Sequence, residues 1–142
     1  MFRLISLFAV MLGVLPVLDR LKPKDTTPAL VKSINAYRAQ HGLPPMIHSP
    51  ELTKAAERHA SDMARYNRLD HMGTDGSSFS HRARAAGFPM LGGGEIIAGG
   101  SADEAVRMWA QSPGHNAQML GSCRYVGAAG VGQYSCAVFG DR

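Results

Sequence analysis

Several things this chain lacks narrow what it can be. It has one tryptophan, Trp109, and two cysteines. Cys123 and Cys136 form neither a Cys-x-x-Cys redox motif nor a zinc-binding pattern. There is no Gly-x-Ser-x-Gly elbow and no His-Glu-x-x-His helix, so two common hydrolytic designs are missing. No basic stripe interleaved with aromatics appears, and beyond Asp25 eleven bases face nine acids, which argues against a nucleic-acid partner. No internal repeat or low-complexity tract is present. At 142 residues the chain has room for one domain with a modest core.

The longest apolar run, Leu4 to Leu18 behind Arg3, falls short of the ~20 residues a spanning helix needs and matches the apolar stretch of a signal peptide. No Ala-x-Ala precedes Asp19, and no cysteine there could take a lipid. Residues 1–18 are therefore expected to be a signal peptide or an uncleaved signal anchor, residues 19–26 a polar linker and residues 27–142 the domain. A secreted or periplasmic location follows, with membrane contact only through an uncleaved leader. In an exported chain an even number of cysteines favours a Cys123–Cys136 disulfide; the alternative is two buried free thiols.

The remainder reads as helices followed by strands. Thr26 or Thr27 can cap a helix with Pro28 in its first turn and Gly42 at its end, burying Leu30, Ile34, Tyr37 and His41. Asn35 and Arg38 beside that face are expected to be structural. Ser49, Pro50 and Glu51 open a second helix whose stripe is Leu52, Ala55, Ala56, His59, Ala60 and Met63. His59, inside the stripe, reads as a hydrogen-bonded core histidine. Shorter helices are expected over Phe79–Ala86, with His81 exposed, over Ser101–Gln111 and over Ser112–Leu120, the last capped by Ser112.

The tail changes period: Tyr125–Gly132 and Gln133–Phe139 read as two strands joined by a tight turn near Ala129-Gly130, with the cysteines symmetric about it. A further strand is expected at Met46–His48 or Glu95–Ala98. This order suits an α+β layered domain rather than a doubly wound sheet. Chemistry concentrates between Gly92 and Leu120. Glycines set Glu95 in a flexible turn, expected at a cleft mouth, and His115 starts the last short helix.

His71 after the long helix, Gly94-Glu95-x-Ile97-Ala98, and Trp109-x-x-Ser112-Pro113-Gly114-His115 occur in an order that resembles the CAP superfamily in its bacterial SCP-like form. That superfamily takes in cysteine-rich secretory proteins, antigen 5 and pathogenesis-related proteins of class 1. Asn35-x-x-Arg38 with Gly42-Leu43-Pro44 is similar to the family's opening, and Gly130 to Gly140 to its closing strands. The likeness covers about Thr27 to Gly140. It implies an α-β-α sandwich around a small, mainly antiparallel sheet.

The resemblance also groups His71, Glu95 and His115 as the family's cleft residues. Two imidazoles and a carboxylate form a set that zinc or another borderline divalent cation accepts, with a position left for water; the alternative is a hydrogen-bonded scaffold. An expected helix dipole at His115 disfavours its protonation. The family's ligands imply a binding module for a metal ion or an apolar lipid or sterol, with a groove near Phe88, Met90 and Leu91, and as the alternative a metal-dependent hydrolase or protease.

Two departures stand out. Ile96 replaces the asparagine that usually follows the turn glutamate, and Gln111 and Ser112 stand where eukaryotic members carry a second one. Glu104 is expected to form a capping box with Ser101 rather than to supply that acid. Ser112, a serine before proline at a helix start, reads as a cap before a nucleophile.

Overall fold

The six residues of the Leu52-to-Met63 stripe are the buried residues of the longest helix described. The computed structural model describes residues 25–142, so the expected leader and all but the last two residues of the linker lie outside the described residues. The elements, in chain order, are α1 (Ala29–Gln40), β1 (Ile47–His48), α2 (Pro50–Tyr66), α3 (Phe79–Ala85), β2 (Gly92–Gly99), α4 (Ala102–Ala110), α5 (Pro113–Met119), β3 (Tyr125–Val131) and β4 (Tyr134–Asp141). The strands form one sheet in the order β1-β3-β4-β2, parallel between β1 and β3 and antiparallel elsewhere. An α+β sandwich results, with β1 and β2 as the edges.

Alternation along the strands divides the core between two faces. Ile96, Ala98, Val126, Ala128, Ala137 and Phe139 pack with α1, α4 and Met119 of α5. Ile97, Cys136 and Val138 pack with α2 and α3. The alanines of α2 allow the close approach their number suggested: a Cβ on Gly127 of β3 would collide with the Leu52 and Thr53 backbone. Burying a side chain such as Leu52 or Met63 contributes about 1.5–3 kcal/mol. Ile96 is fully enclosed on the α1 face, so this departure from the family pattern places an apolar group in the core.

Helix ends follow the sequence in part. Ser49 accepts from the Leu52 amide, and Ser78 likewise caps α3 through the His81 amide. Pro28, not a threonine, occupies the N-cap of α1, and Ser112 makes no side-chain capping bond at α5. On α1 the buried set is Leu30, Val31, Ile34 and Arg38; Tyr37 is half-buried and His41 exposed. Asn35 has the structural role expected of it, donating to the Met46 carbonyl and accepting its amide.

Three expectations are corrected. Glu95 does not sit in a turn: it lies within the eight-residue strand Gly92–Gly99, paired along its length with β4, so the further strand expected at Met46–His48 or Glu95–Ala98 is present at both places. The glycines of β2 serve close approach, since a Cβ on Gly93 would strike the Phe139 carbonyl and one on Gly94 the Gln118 side chain. The hairpin turns at Gly132-Gln133, with Gly132 at φ 57°, rather than near Ala129-Gly130. The Cys123–Cys136 disulfide falls with that shift: both cysteines are free. Cys136 lies opposite Ala129, and Tyr125, the strand residue nearest Cys123, is four residues or about 13 Å further along β3. A disulfide needs Cα atoms within about 7 Å. The thiols also pack against opposite faces of the sheet.

Candidate functional site

Glu95 projects from β2 towards α2 and α3, and its side chain is 1% exposed. A carboxylate withdrawn so far from water needs a compensating charge. Arg82 of α3 supplies it at 2.7 Å from Oε2, itself 1% exposed. The same guanidinium donates to the carbonyls of Ser77 (2.6 Å) and His71 (3.1 Å), so one side chain ties the loop after α2 to the sheet. Sequence reasoning passed over Arg82. The available signal was a base in a short helix, next to the buried Ala83, in a chain that also had to bury an acid.

His71 Nδ1 lies 3.0 Å from Glu95 Oε1. Because the carboxylate facing Arg82 accepts, Nδ1 carries the proton, which leaves Nε2 as the acceptor on a ring that is 58% exposed. His59 sits 3.8 Å from the same oxygen, fully buried, and donates through Nε2 to the Asp70 carbonyl at 2.8 Å. Burial above all, and Arg82 beyond it, hold His59 below the ordinary imidazole range despite Glu95. It is the core histidine the stripe implied. Its Nδ1 and Arg82 Nε have no partner among the described residues.

His115, on α5, enters from the other face of the sheet. Its pKa is lowered first by partial burial and then by repulsion from the His71 imidazole when that ring is charged. His71 thus stands on the α2 side of β2 and His115 on α5, whose Met119 packs against the opposite face. Cys136 of β4 brings its thiol to 3.5 Å from Glu95 Oε2, and complete burial and that carboxylate push its pKa well up.

The expected three-ligand set is altered by this geometry. Oε1 of Glu95 is engaged by His71 and Oε2 by Arg82 and Cys136. Among the described residues no three His, Cys, Asp or Glu side chains are grouped to hold a metal ion. As three direct ligands, His71, Glu95 and His115 do not fit a metal. Of the residues expected beside an apolar groove, Phe88 and Met90 are buried in the α2-side core and Leu91 is exposed to solvent. Glu104 stays at the start of α4, where its carboxylate accepts from the Ser101 hydroxyl at 2.9 Å. That hydroxyl and the Ser101 amide hold Glu104 below the usual carboxylate range. The box is therefore half formed, since the serine hydroxyl donates to the carboxylate instead of accepting from the Glu104 amide.

Residues 31–138 match the model of the CAP cysteine-rich secretory protein family. The chain belongs to this family. No curated protein matches it. Among solved structures, an extracellular SCP-domain protein from Bacillus anthracis str. Ames is 21% identical with a TM-score of 0.74, over 80% of this chain and 39% of that one. An outer surface protein from Borrelia burgdorferi is 20% identical at a TM-score of 0.70, over 80% and 90% of the two chains. A cysteine-rich secretory protein from Staphylococcus aureus is 16% identical at 0.65, over 84% and 40%. The CAP chain thus spans about two fifths of the Bacillus and Staphylococcus proteins, and at these identities the likeness is one of fold. No helix among its described residues is long and apolar enough to cross a membrane.

Proposed function

We propose that this CAP domain is an exported binding module whose cleft contacts are the imidazoles of His71 and His115, with Glu95 orienting His71 from behind. The observation that carries the reading is the 3.0 Å bond from His71 Nδ1 to a carboxylate already fixed by Arg82. A buried carboxylate holding one imidazole nitrogen, while the other faces out, is the usual support behind a metal-binding histidine. Two accessible imidazoles, the second disposed to stay unprotonated, suit a zinc-like divalent cation whose remaining positions go to water or to a donor on the partner molecule. Export rests on the apolar leader and agrees with the extracellular and outer-surface descriptions of the Bacillus and Borrelia proteins.

Hydrolysis has less support. The Cys136 thiol is sealed and held protonated. Ser112 has no side-chain capping bond, and no base is found bonded to it among the described residues. The test is isothermal titration of the metal-stripped full chain with zinc at neutral pH and near pH 5. Saturable binding is expected at neutral pH and should be lost in acid, because ligating nitrogens must be unprotonated. His71→Ala and His115→Ala should each abolish it. Glu95→Gln should weaken it by about 10–100-fold, the range for a residue that supports a ligand from behind. No binding at neutral pH, or binding indifferent to His71→Ala, would sink the proposal.

A further inference from the structure

His59 and Arg82 are both buried, yet each leaves one polar atom without a partner among the described residues, His59 Nδ1 and Arg82 Nε. The other nitrogens of the two side chains are committed. His59 Nε2 donates to the Asp70 carbonyl, and the two Nη atoms of Arg82 serve Ser77, His71 and Glu95. With the proton of the neutral ring on Nε2, His59 Nδ1 is a bare acceptor, whereas Arg82 Nε–H is a donor. An acceptor and a donor left unpaired away from water are each costly.

Both side chains line one recess of about 260 Å³ between α2 and the loop over residues 73–77, and as its most buried polar lining they form its floor. None of His71, Glu95 and His115 lines it. Its charges cancel. Arg58 pairs with Asp75 at 2.7 Å, and Arg82 with Glu95 behind it. That leaves one cation, Arg65, and one carboxylate, Asp62, which accepts from the Thr74 amide and hydroxyl at 2.9 and 2.6 Å. Arg68 and Asp70, in the segment after α2, pair with each other at 2.6 Å. A charged ligand of either sign therefore meets a like charge in this lining. A hydroxyl, which donates and accepts from one atom, suits both floor and rim. The rim also has an aromatic side: Arg65 lies over the Tyr66 ring at 5.5 Å, and Tyr66 is 54% exposed.

We propose that this recess binds one neutral sugar ring, a pyranose whose hydroxyls serve His59 Nδ1, Arg82 Nε, Asp62 and Arg65 and whose C–H face lies against Tyr66. At about 30 Å³ per water the space holds on the order of nine waters, room for one such ring. The two floor atoms are fully enclosed. The ligand reaches them as the 73–77 loop eases away from α2, to which the solvent-exposed Arg58–Asp75 and Thr74–Asp62 bonds tie it.

The full chain is titrated with the methyl α-glycosides of glucose, galactose, mannose and N-acetylglucosamine, followed by isothermal titration and by saturation-transfer NMR. At least one should bind saturably. It should bind about fivefold or more tighter than its epimer, because one misplaced hydroxyl leaves a buried group unpaired. Added sodium chloride should leave the affinity unchanged, since salt screens only charges and the ligand has none. Arg65→Gln and Tyr66→Ala should each weaken binding about threefold or more. Apart from their mutual contact these side chains make no hydrogen bond or ion pair among the described residues, so the fold does not rest on them. His71→Ala should change nothing, which separates this site from the cleft. Because His59 and Arg82 also hold the loop and neutralise Glu95, their own variants are not needed for the decision. No saturable binding of any of the four glycosides, equal binding of epimers, displacement by inorganic phosphate or acetate, or indifference to both rim variants would overturn the proposal.

Discussion

Replacing Arg82 with methionine should cost this domain a large part of its stability. The change keeps most of the side-chain volume but removes the charge beside Glu95, whose carboxylate stays in a site 1% exposed to solvent. Breaking a buried pair by deleting one partner costs about 3–5 kcal/mol, because the remaining charge is uncompensated. The bonds to the Ser77 and His71 carbonyls go with it. At roughly 3–5 °C per kcal/mol for a domain of this size, the melting temperature should fall by about 10–20 °C. Glu95→Gln leaves the cation alone instead and should cost a comparable amount. If the pair is the unit of stability, the double variant Arg82→Met/Glu95→Gln should be little worse than either single one, with a coupling of about 2 kcal/mol or more. Urea denaturation of the four proteins, followed by Trp109 fluorescence, gives the cycle. Losses for Arg82→Met within the ~1 kcal/mol of a surface pair, or strictly additive losses, would refute the view that these two groups hold the loop to the sheet.

The other predictions concern thiols, protons and backbone. Unfolded, unreduced protein should titrate two thiols, and in the native state Cys123 should react well before Cys136; no titratable thiol in the unfolded chain would restore the disulfide. Burial holds the folded-state pKa of His59 below the ~6.5 of the unfolded chain, so the imidazole is neutral when folded. Its contribution is present above pH 6.5 and is lost as the pH falls from there towards the folded pKa. The slope should be at most about 1.4 kcal/mol per pH unit per histidine, and His59→Gln should flatten it between pH 6.5 and 5; an unchanged slope would mean that His59 is protonated in the fold. Gly127→Ala should destabilise by about 1–3 kcal/mol or more, because its Cβ meets the α2 backbone, whereas Gly114→Ala, with open space at the start of α5, should be neutral or stabilise by up to about 1 kcal/mol. Chemical denaturation that ranks the two alike would contradict the packing described between α2 and β3.

How much of this was legible depends on whether a residue's neighbours were close in sequence. The α2 stripe was fully legible, since a period of 3.6 and a Ser-Pro-Glu start are local facts. β2 was legible only in part: Glu95–Ala98 read as a candidate strand, but the glycines before the acid read locally as a turn, while the actual reason for Gly93 and Gly94, the Phe139 carbonyl and the Gln118 side chain pressed against them, lies more than twenty residues away. The cysteines show how a small local error grows. Antiparallel pairing fixes the sum of the paired residue numbers, so placing the turn three residues early shifts every partner by six, and a bridge that looked symmetric becomes impossible.

The cleft was half legible for the same reason. Family order brought His71, Glu95 and His115 together, but order carries no information about which carboxylate oxygen is free. That was decided by Arg82 and Cys136, one on each side of β2 in sequence and both directed at Oε2. In the proposed binding module the group that would meet a ligand is the imidazole in front of this occupied carboxylate, so Glu95 would act on binding through the orientation of His71 and on stability through Arg82. A substitution at Glu95 therefore moves both, and a substitution at His71, more than half exposed, should move binding with little effect on stability. The separation can be measured: if His71→Ala lowered the melting temperature as far as Glu95→Gln does, the histidine would belong to the scaffold rather than to the contact surface.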